Sequence, residues 1–490
     1  MFRKKKKQKK HSEKENEEQT KRSRNKEVMV ITYLFVAVFV GLIANLIYFM
    51  VMDSKEVINN SYNQRQTLLA KRVVRGKILG SEGEVLAETK TDAFGNETRN
   101  YPYGRMFTHV VGHSTQGKTG VELSENFNLL TSNDNPITNI KLRLEGEKTI
   151  GDNVITTLDV DLQKVAYEAL GNYRGAVVVS EPSTGKILAM VSKPDYDPDP
   201  SSLNANWKSL VADTDHTSCL VNRATQGLYP PGSTFKIFTA LEYIRENSNY
   251  KRFTYDCHGT ENQEGYVVNC YQNHVHGHLD LKTAFAKSCN SCFASIGTRL
   301  DISQFAKTCE GLLFQQKLPT SIVHNKSSFV LNEESNKEEV MHTAMGQGKT
   351  QITPLHASMV LSAIANKGVL MENYVVDYLE SDNGNVVRET TPKAYGSLMT
   401  EDEASILTDM MKEVTKTGTA SSLSSLSYSV AGKTGSAEYD STKNSHAWFW
   451  GFAPADNPKI AVTVIVEGAG TGSQYAVPIA KKIFQSYLGN

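Results

Sequence analysis

Net charge is missing from this sequence: 53 Lys and Arg residues balance 53 Asp and Glu residues over 490 positions. A chain that is basic or acidic throughout is thereby excluded, but a local imbalance is not. Between Arg3 and Lys26 lysines and arginines crowd together with only a few acids, and the remainder is correspondingly acidic. That tail lacks aromatic residues between its cations, which argues against a nucleic-acid partner. No internal repeat is present, so repeat architectures drop out. No small-x-small cleavage site follows the one long hydrophobic run, which speaks against a cleavable signal peptide.

What is present is enough for a folded protein. Apolar residues make up 39% of the chain, and the length suits two or three domains rather than one. Val28 to Met52 is interrupted only by Thr32, Gly41, Asn45 and two tyrosines. A helix over that run spans roughly 37 Å, more than the ~30 Å of a hydrocarbon layer. The bulk positive charge lies on its N-terminal side. The positive-inside rule therefore predicts residues 1–27 as a cytoplasmic tail, 28–52 as a transmembrane anchor, and everything beyond Asp53 outside the cytoplasmic membrane.

Residues 53–150 are rich in turns and short alternating runs such as Lys77–Leu79 and Val85–Ala87, and read as a β-rich pedestal. The composition changes near Gly151. Val154–Leu158 is expected as a strand, Asp161–Leu170 as a helix, and Gly175–Ser180 and Lys186–Val191 as strands around a Pro182–Gly185 turn. Residues 205–365 read as mostly helical. Tyr428–Ala431, Ala447–Phe452 and Ile460–Glu467 read as neighbouring antiparallel strands. The fold class is thus α/β in the α+β sense: residues 151–490 form one antiparallel sheet covered by helices.

Three short elements carry chemistry. Tyr229-Pro230-Pro231-Gly232 ends one segment, and Ser233-Thr234-Phe235-Lys236 opens an amphipathic helix. Ser233 falls in its first turn, where free N–H groups favour negative charge. Lys236, three residues on, shares its face. A serine hydroxyl needs a base, and a lysine serves once burial or another cation lowers its pKa. Ser23…Lys26 and Ser183…Lys186 share the S-x-x-K spacing but lie in the tail and in a strand turn. The second element is Ser288-Cys289-Asn290, where a hydroxyl and an amide two residues apart can relay a proton and hold a substrate amide. Its rivals are Ser381-Asp382-Asn383, which reads as a hairpin tip, and Ser61-Tyr62-Asn63 and Ser202-Leu203-Asn204, which precede the nucleophile. The third is Lys433-Thr434-Gly435-Ser436, placed after a strand and before two more. Lys118-Thr119-Gly120 belongs to the pedestal, and Lys416-Thr417-Gly418 ends a helix with Gly418 as its cap.

These elements in this order resemble the set shared by class A β-lactamases and penicillin-binding proteins. The resemblance extends over Arg75-Gly76-Lys77-Ile78, Gly117–Glu122, Thr157–Gln163, Asn222-Arg223-Ala224, Gly346-Gln347-Gly348, Gly418-Thr419-Ala420 and Ala447–Pro454. From about residue 28 to its end the chain resembles a class B, monofunctional penicillin-binding protein with a short pedestal. Asp199 departs from it, where the family usually has asparagine after Asp197-Pro198.

The resemblance implies a peptidoglycan D,D-transpeptidase acting on the D-Ala-D-Ala end of a stem peptide. Ser233 would be the nucleophile and Lys236 its base. Ser288 and Asn290 would relay the proton and grip the donor strand, and Lys433 and Thr434 would hold the terminal carboxylate. The backbone N–H groups of Ser233 and Ser436, with Gly435 leaving space, would hold the oxyanion. β-Lactams would trap Ser233 as a long-lived ester, since no deacylating carboxylate is apparent. No cofactor and no metal is required. The sequence has no glycosyltransferase-sized region, which implies a partner that polymerises glycan, by resemblance a multi-pass membrane glycosyltransferase. A D,D-carboxypeptidase or β-lactamase would share the same elements with water as acceptor. A β-lactam sensor would need a longer signalling segment than the tail supplies.

The remaining conspicuous residues have plainer readings. Cys257 and Cys270 are the best candidates for a disulfide in a loop. With His258, His274, His276 and His278 they also invite a zinc site, but the irregular spacing makes that the lesser reading. Cys289 and Cys292 read as buried helical thiols, Trp448 and Trp450 as core or cleft lining, and Gly346-Gln347-Gly348 as a tight turn under the site.

Overall fold

The structure is a computed structural model, which describes residues 2–50, 68–213, 218–438 and 444–489. The end of the expected anchor at 51–52, the start of the pedestal and Ser61–Asn63 lie outside the described residues.

The chain divides into two units, Met1–Gln64 and Arg65–Asn490. The first contains one continuous helix, Phe2–Tyr48. Its charged N-terminal half and its apolar half, from Val28 on, are exposed on every side. A helix that is apolar all round with nothing packed on it has the surface a bilayer would solvate.

The second unit is organised by a five-stranded sheet. Its elements are α1 (Val160–Leu170), β1 (Gly175–Ser180), β2 (Ile187–Lys193), α2 (Lys236–Glu246), α3 (Asn290–Gly297), α4 (Pro354–Ala365), α5 (Glu401–Lys416), β3 (Ala431–Ala437), β4 (His446–Ala453), β5 (Ile460–Val466) and α6 (Gly472–Leu488). The strand order is β3-β4-β5-β1-β2 and every pairing is antiparallel. Every residue of β1, β4 and β5 is buried, because helices cover both faces. This explains why these strands read as continuous apolar runs rather than as an alternation. Helix α4 packs on β1, β4 and β5, with α6 against β3, β4 and β5 and α1 against β2. All twelve residues of α4 are buried. It brings Ser358 and Ser362 to 3.2 and 3.0 Å from the Ser180 hydroxyl, which satisfies three polar groups inside an apolar layer.

Two expectations about secondary structure are corrected. Residues 254–280 form two small antiparallel pairs, Thr254–Cys257 with Gly277–Asp280 and Thr260–Gln263 with Tyr266–Asn269, inside a stretch read as helical. Their polar, tyrosine-bearing alternation is a period-2 signal too short to stand out between long helices. The strand placed at Tyr428–Ala431 begins only at Ala431 and runs to Ala437, so Lys433–Ser436 lie within it. Two glycines and two hydroxyl residues hide strand character there. The disulfide considered for Cys257 and Cys270 is not formed, and all six cysteines are free thiols.

A second, six-stranded sheet has the order 386–389, 376–380, 153–156, 78–79, 85–91, 97–100. Beside it Arg75 and Arg99 converge on the fully buried Glu122: Arg75 Nε donates to Oε2 at 2.6 Å and Arg99 Nε to Oε1 at 2.7 Å. Arg75 also reaches Asn126 Oδ1 at 2.6 Å, and Arg99 the carbonyl of Gly76 at 2.7 Å. Burial alone would raise the Glu122 carboxyl, but the two guanidiniums outweigh it and hold the pKa at about 2. Removing the carboxylate leaves two buried cations unpaired. Glu122→Ala should therefore cost about 3–5 kcal/mol in thermal or denaturant unfolding. Since the folded pKa is depressed, the carboxylate's contribution is present above the unfolded value of 4.5 and is lost as pH falls from there towards 2. An exposed ion pair here would make the substitution nearly neutral.

Candidate active site

The two prolines and glycine at 230–232 turn the chain sharply, and Gly232 sits at φ 57°. Residues Gly232–Phe235 form a 3-10 turn, and α2 starts at Lys236. Ser233 thus lies on a tight entry turn rather than in the helix proper, half-buried while its neighbours on both sides are buried. The turn is pressed onto β3. A Cβ on Gly435 would meet the Pro231 carbonyl oxygen at 2.8 Å, and one on Gly232 would meet the Ser436 carbonyl at the same distance.

Loop 346–348 closes the other side. Gly346 accepts the Gly232 N–H at 2.9 Å. Gln347 donates through Nε2 to the Ser436 carbonyl at 3.2 Å and accepts the Glu438 N–H through Oε1 at 3.1 Å, clamping the end of β3. The tight turn read from the glycines is present, but Gln347 itself was not singled out. Its signal is only an amide between two glycines.

Lys236 is fully buried, and its Nζ is surrounded by oxygens. It lies 2.8 Å from the Ser288 carbonyl, 2.8 Å from Asn290 Oδ1, 3.1 Å from Ser233 Oγ and 3.3 Å from Ser288 Oγ. The first two can only accept. They occupy both N–H bonds of a neutral amine, which leaves its lone pair for a hydroxyl. Burial lowers the Lys236 pKa to about 8, so the neutral form is within reach near physiological pH. Ser233 is the hydroxyl poised to lose a proton to it.

Ser288 adopts φ 56°, unusual for a residue with a side chain. This left-handed step turns the chain between helix Leu281–Ala286 and α3. It lets the Ser288 carbonyl, its hydroxyl and the Asn290 side chain all face Lys236. Asn290 Nδ2 is fixed in turn on the Asn269 carbonyl at 3.2 Å.

Lys433 on β3 is also fully buried. Its Nζ donates to Ser288 Oγ at 3.0 Å and to the Thr434 carbonyl at 3.0 Å. Burial, and then the neighbouring Lys236, push its pKa well below the ordinary lysine value. It faces the cleft at the Ser288 hydroxyl. The Thr434 hydroxyl meets that of Thr419, from the turn after α5. Thr419 stood in the sequence only as part of a resembling tripeptide. Ser436 is half-buried at the cleft and its Oγ accepts the Gly472 N–H at 3.3 Å. Ser233, Lys236, Ser288, Asn290 and Lys433 thus form one connected network, and Thr434, Gly435 and Ser436 line the strand beside it.

The look-alike elements go elsewhere. Ser183–Lys186 closes the β1–β2 turn with Lys186 on Asp377 at 2.9 Å. Ser381–Asn383 is a hairpin tip between Val376–Glu380 and Val386–Glu389. Lys416 ends α5. Gly418 is required for close approach, since its Cβ would meet the Ala286 carbonyl oxygen at 2.3 Å. It does not supply the left-handed cap that its position suggested.

Residues 175–485 match the family model described as the penicillin binding protein transpeptidase domain. Residues 75–154 match that of the penicillin binding protein A dimerisation domain. A peptidoglycan D,D-transpeptidase PbpA from Mycolicibacterium smegmatis is 30% identical over 465 residues, covering 87% of this chain and 91% of that protein. A peptidoglycan D,D-transpeptidase MrdA from Acinetobacter baumannii is 28% identical, covering 80% of this chain and 66% of that protein. Among solved structures, the ceftriaxone acyl-enzyme complex of penicillin-binding protein A from M. tuberculosis superposes with a TM-score of 0.78 at 28% identity, covering 86% of this chain and 99% of that one. The D,D-transpeptidase domain of a peptidoglycan glycosyltransferase from Eggerthella lenta gives 0.76 at 29% identity, with 85% and 98% covered.

The loop behind the entry turn supplies a structural prediction. A Cβ on Gly346 would lie 1.7 Å from the Gly232 carbonyl oxygen, whereas one on Gly348 meets nothing nearer than 3.7 Å; both have φ near 90°. Gly348→Ala should cost only the left-handed backbone penalty, about 1–2 kcal/mol. Gly346→Ala adds a backbone clash and should destabilise measurably more in thermal unfolding. Equal shifts in the two variants would show that the loop does not press on the turn.

Proposed function

This chain belongs to the penicillin-binding protein family and is a serine-type peptidoglycan D,D-transpeptidase; from that premise we propose how its own residues carry the reaction. The observation that carries the proposal is the buried Lys236 Nζ, 3.1 Å from Ser233 Oγ, with both N–H bonds directed at fixed acceptors.

The neutral Lys236 amine takes the Ser233 proton as Oγ attacks the carbonyl of the penultimate D-Ala. The oxyanion is held by the backbone N–H groups of Ser233 and Ser436, a kind of donor commonly worth about 3–4 kcal/mol each. The proton passes through Ser288 to the nitrogen of the terminal D-Ala, the C–N bond breaks, and D-Ala leaves. An amine of a neighbouring stem peptide then attacks the ester, restoring the Ser233 hydroxyl and completing the cross-link. Asn290 orients the donor backbone. Thr434 meets its terminal carboxylate, and Lys433 holds the Ser288 hydroxyl in the relay. β-Lactams enter the same site as donor mimics and leave Ser233 acylated.

Residues 28–52 serve as a single membrane anchor with the 1–27 tail in the cytoplasm, supported by the flanking cations. Residues 53–150 form the pedestal, and 151–490 the catalytic domain outside the cytoplasmic membrane. A multi-pass membrane glycosyltransferase supplies the glycan strands, since a transpeptidase of this kind needs polymerised substrate.

Labelling with a fluorescent penicillin tests the residue roles. Labelling should vanish in Ser233→Ala and persist in Ser183→Ala. It should fall at least tenfold in Lys433→Ala and remain in Lys416→Ala. Loss in Lys416→Ala with retention in Lys433→Ala would place the third element at the end of α5 instead of on β3.

The pH dependence follows from the base. Lys236 accepts a proton only when neutral, and its pKa is lowered to about 8. The acylation rate should therefore climb about tenfold per pH unit below that value and level off above it. A rate flat from pH 6 to 9 would remove Lys236 as the base.

A further inference from the structure

Tyr229 lies buried just before the entry turn, yet its phenol has no place in the proton path. It is aimed at a carboxylate instead. The Tyr229 hydroxyl donates to Glu467 Oε1 at 2.7 Å. Arg223 Nε donates to the same oxygen at 2.8 Å, and Arg174 Nη2 lies 3.0 Å from Oε2. Burial, and then Glu467 itself, push the phenol well above its ordinary pKa, so it stays a donor. Glu467 thereby gathers the residue before β1, the segment at Arg223 and the approach to the nucleophile.

A buried ion cluster can serve folding alone, as the one at Glu122 does in the pedestal. What separates Glu467 is its place in the sheet register. Ser436 pairs with Ala447 and Ala447 with Val466, so Glu467 stands one residue beyond the row that carries Ser436. Its N–H donates to the Arg174 carbonyl at 2.8 Å, which continues the sheet past that row. The same end of β4 presents His446 and Trp448 in T-shaped contact with the Tyr229 ring, with centroids 5.5 and 6.0 Å away. The next residue in the chain, Pro230, accepts the Trp448 indole N–H at 3.0 Å. Only glycine at 227 lets the ring fold back this far, since a Cβ there would lie 2.4 Å from a Tyr229 ring carbon.

The two oxyanion donors come from different segments, the Ser233 N–H from the entry turn and the Ser436 N–H from β3. Their separation depends on how the turn seats on the sheet. Strand register ties Ser436 to the end of β5, and the phenol ties the turn to the same place.

We propose that Glu467 and Tyr229 are positioning residues for the oxyanion hole: the carboxylate holds the phenol, and the phenol holds the entry turn at the distance from Ser436 at which both N–H groups meet one oxygen. The inference rests on the reading of Ser233 as nucleophile. Neither residue touches the reacting atoms. Their effect on rate is nevertheless large, because a misplacement of about 1 Å can cost roughly a hundredfold. Loss of one oxyanion donor costs about a hundredfold to a thousandfold.

The test follows acylation of the full-length chain in detergent by a fluorescent penicillin. Stopped-flow measurement separates the initial binding constant from the limiting acylation rate constant, counted per labelled site so that a smaller folded fraction does not enter. Tyr229→Phe keeps the ring and loses only the hydroxyl. It should lower the limiting rate constant about tenfold or more and leave the binding constant within about twofold of the parent value. Glu467→Gln should act in the same direction. The double variant should be no slower than the slower single, since both changes break one hydrogen bond. The pH profile should keep its inflection near 8, because Lys236 is untouched.

A limiting rate constant in Tyr229→Phe within about twofold of the parent value would overturn the positioning role, whatever happens to stability. So would a loss confined to the binding constant, losses that multiply in the double variant, or a displaced pH inflection, which would trace the defect to the base. Label mapped to a residue other than Ser233 would overturn the nucleophile assignment and the positioning role with it. Ser233 labelled by Tyr229→Phe at the parent rate would overturn the positioning role alone.

Discussion

The buried amine of Lys236 is the constraint on which the rest of the site depends. An ammonium taken out of water is costly unless every proton finds an acceptor, and a lone neutral amine is favoured instead. Here two obligatory acceptors come from one short turn, Ser288 to Asn290, and the remaining contacts are hydroxyls. The same burial that lowers the pKa makes the group a base, and the same acceptors that tolerate it aim its lone pair. Lys433, equally buried and only one hydroxyl away, adds repulsion between the two amines and further disfavours their joint protonation.

Keeping that amine dry requires backbone segments to pack without side chains between them. The entry turn at Gly232, the loop at Gly346, the strand at Gly435 and the start of α6 at Gly472 press on one another. A Cβ at Gly472 would lie 2.2 Å from the Trp448 carbonyl oxygen. Each glycine permits a carbonyl or N–H to sit where a methyl group would. The indole of Trp448 seals the floor by donating to the Pro230 carbonyl at 3.0 Å. The site is thus a junction of loops and one edge strand, held rigid by a sheet buried on both faces.

Two further devices hold outlying parts of the chain. The Arg75–Glu122–Arg99 cluster joins segments that carry few apolar residues, so a buried charge network takes over work a larger core would do. The small sheets around residue 270 likewise have little apolar surface of their own, and Cys257, Cys270 and His276 pack there against Cys289 at the start of α3. Both are polar fastenings where hydrophobic burial is thin.

Much of this was legible in the chain itself. Continuous apolar runs specified β1, β4 and β5, and the glycine-proline break specified the entry to α2, while the chemistry of the three short elements was read through their resemblance to a known family. These are signals of local period and local stereochemistry, which a sequence records directly. The strand carrying Lys433 was displaced by three residues because its glycines and hydroxyls carry no hydrophobic period, and it is a strand only by pairing with β4. Residues 254–280 were missed because their period-2 alternation is short and polar. The inward turn of Lys433, the clamp made by Gln347, the close approach at Gly418 and the meeting of Cys257, Cys270, His276 and Cys289 depend on segments far apart in the chain. Spacing along a sequence cannot encode distances across a fold, and so the tertiary structure alone decided them.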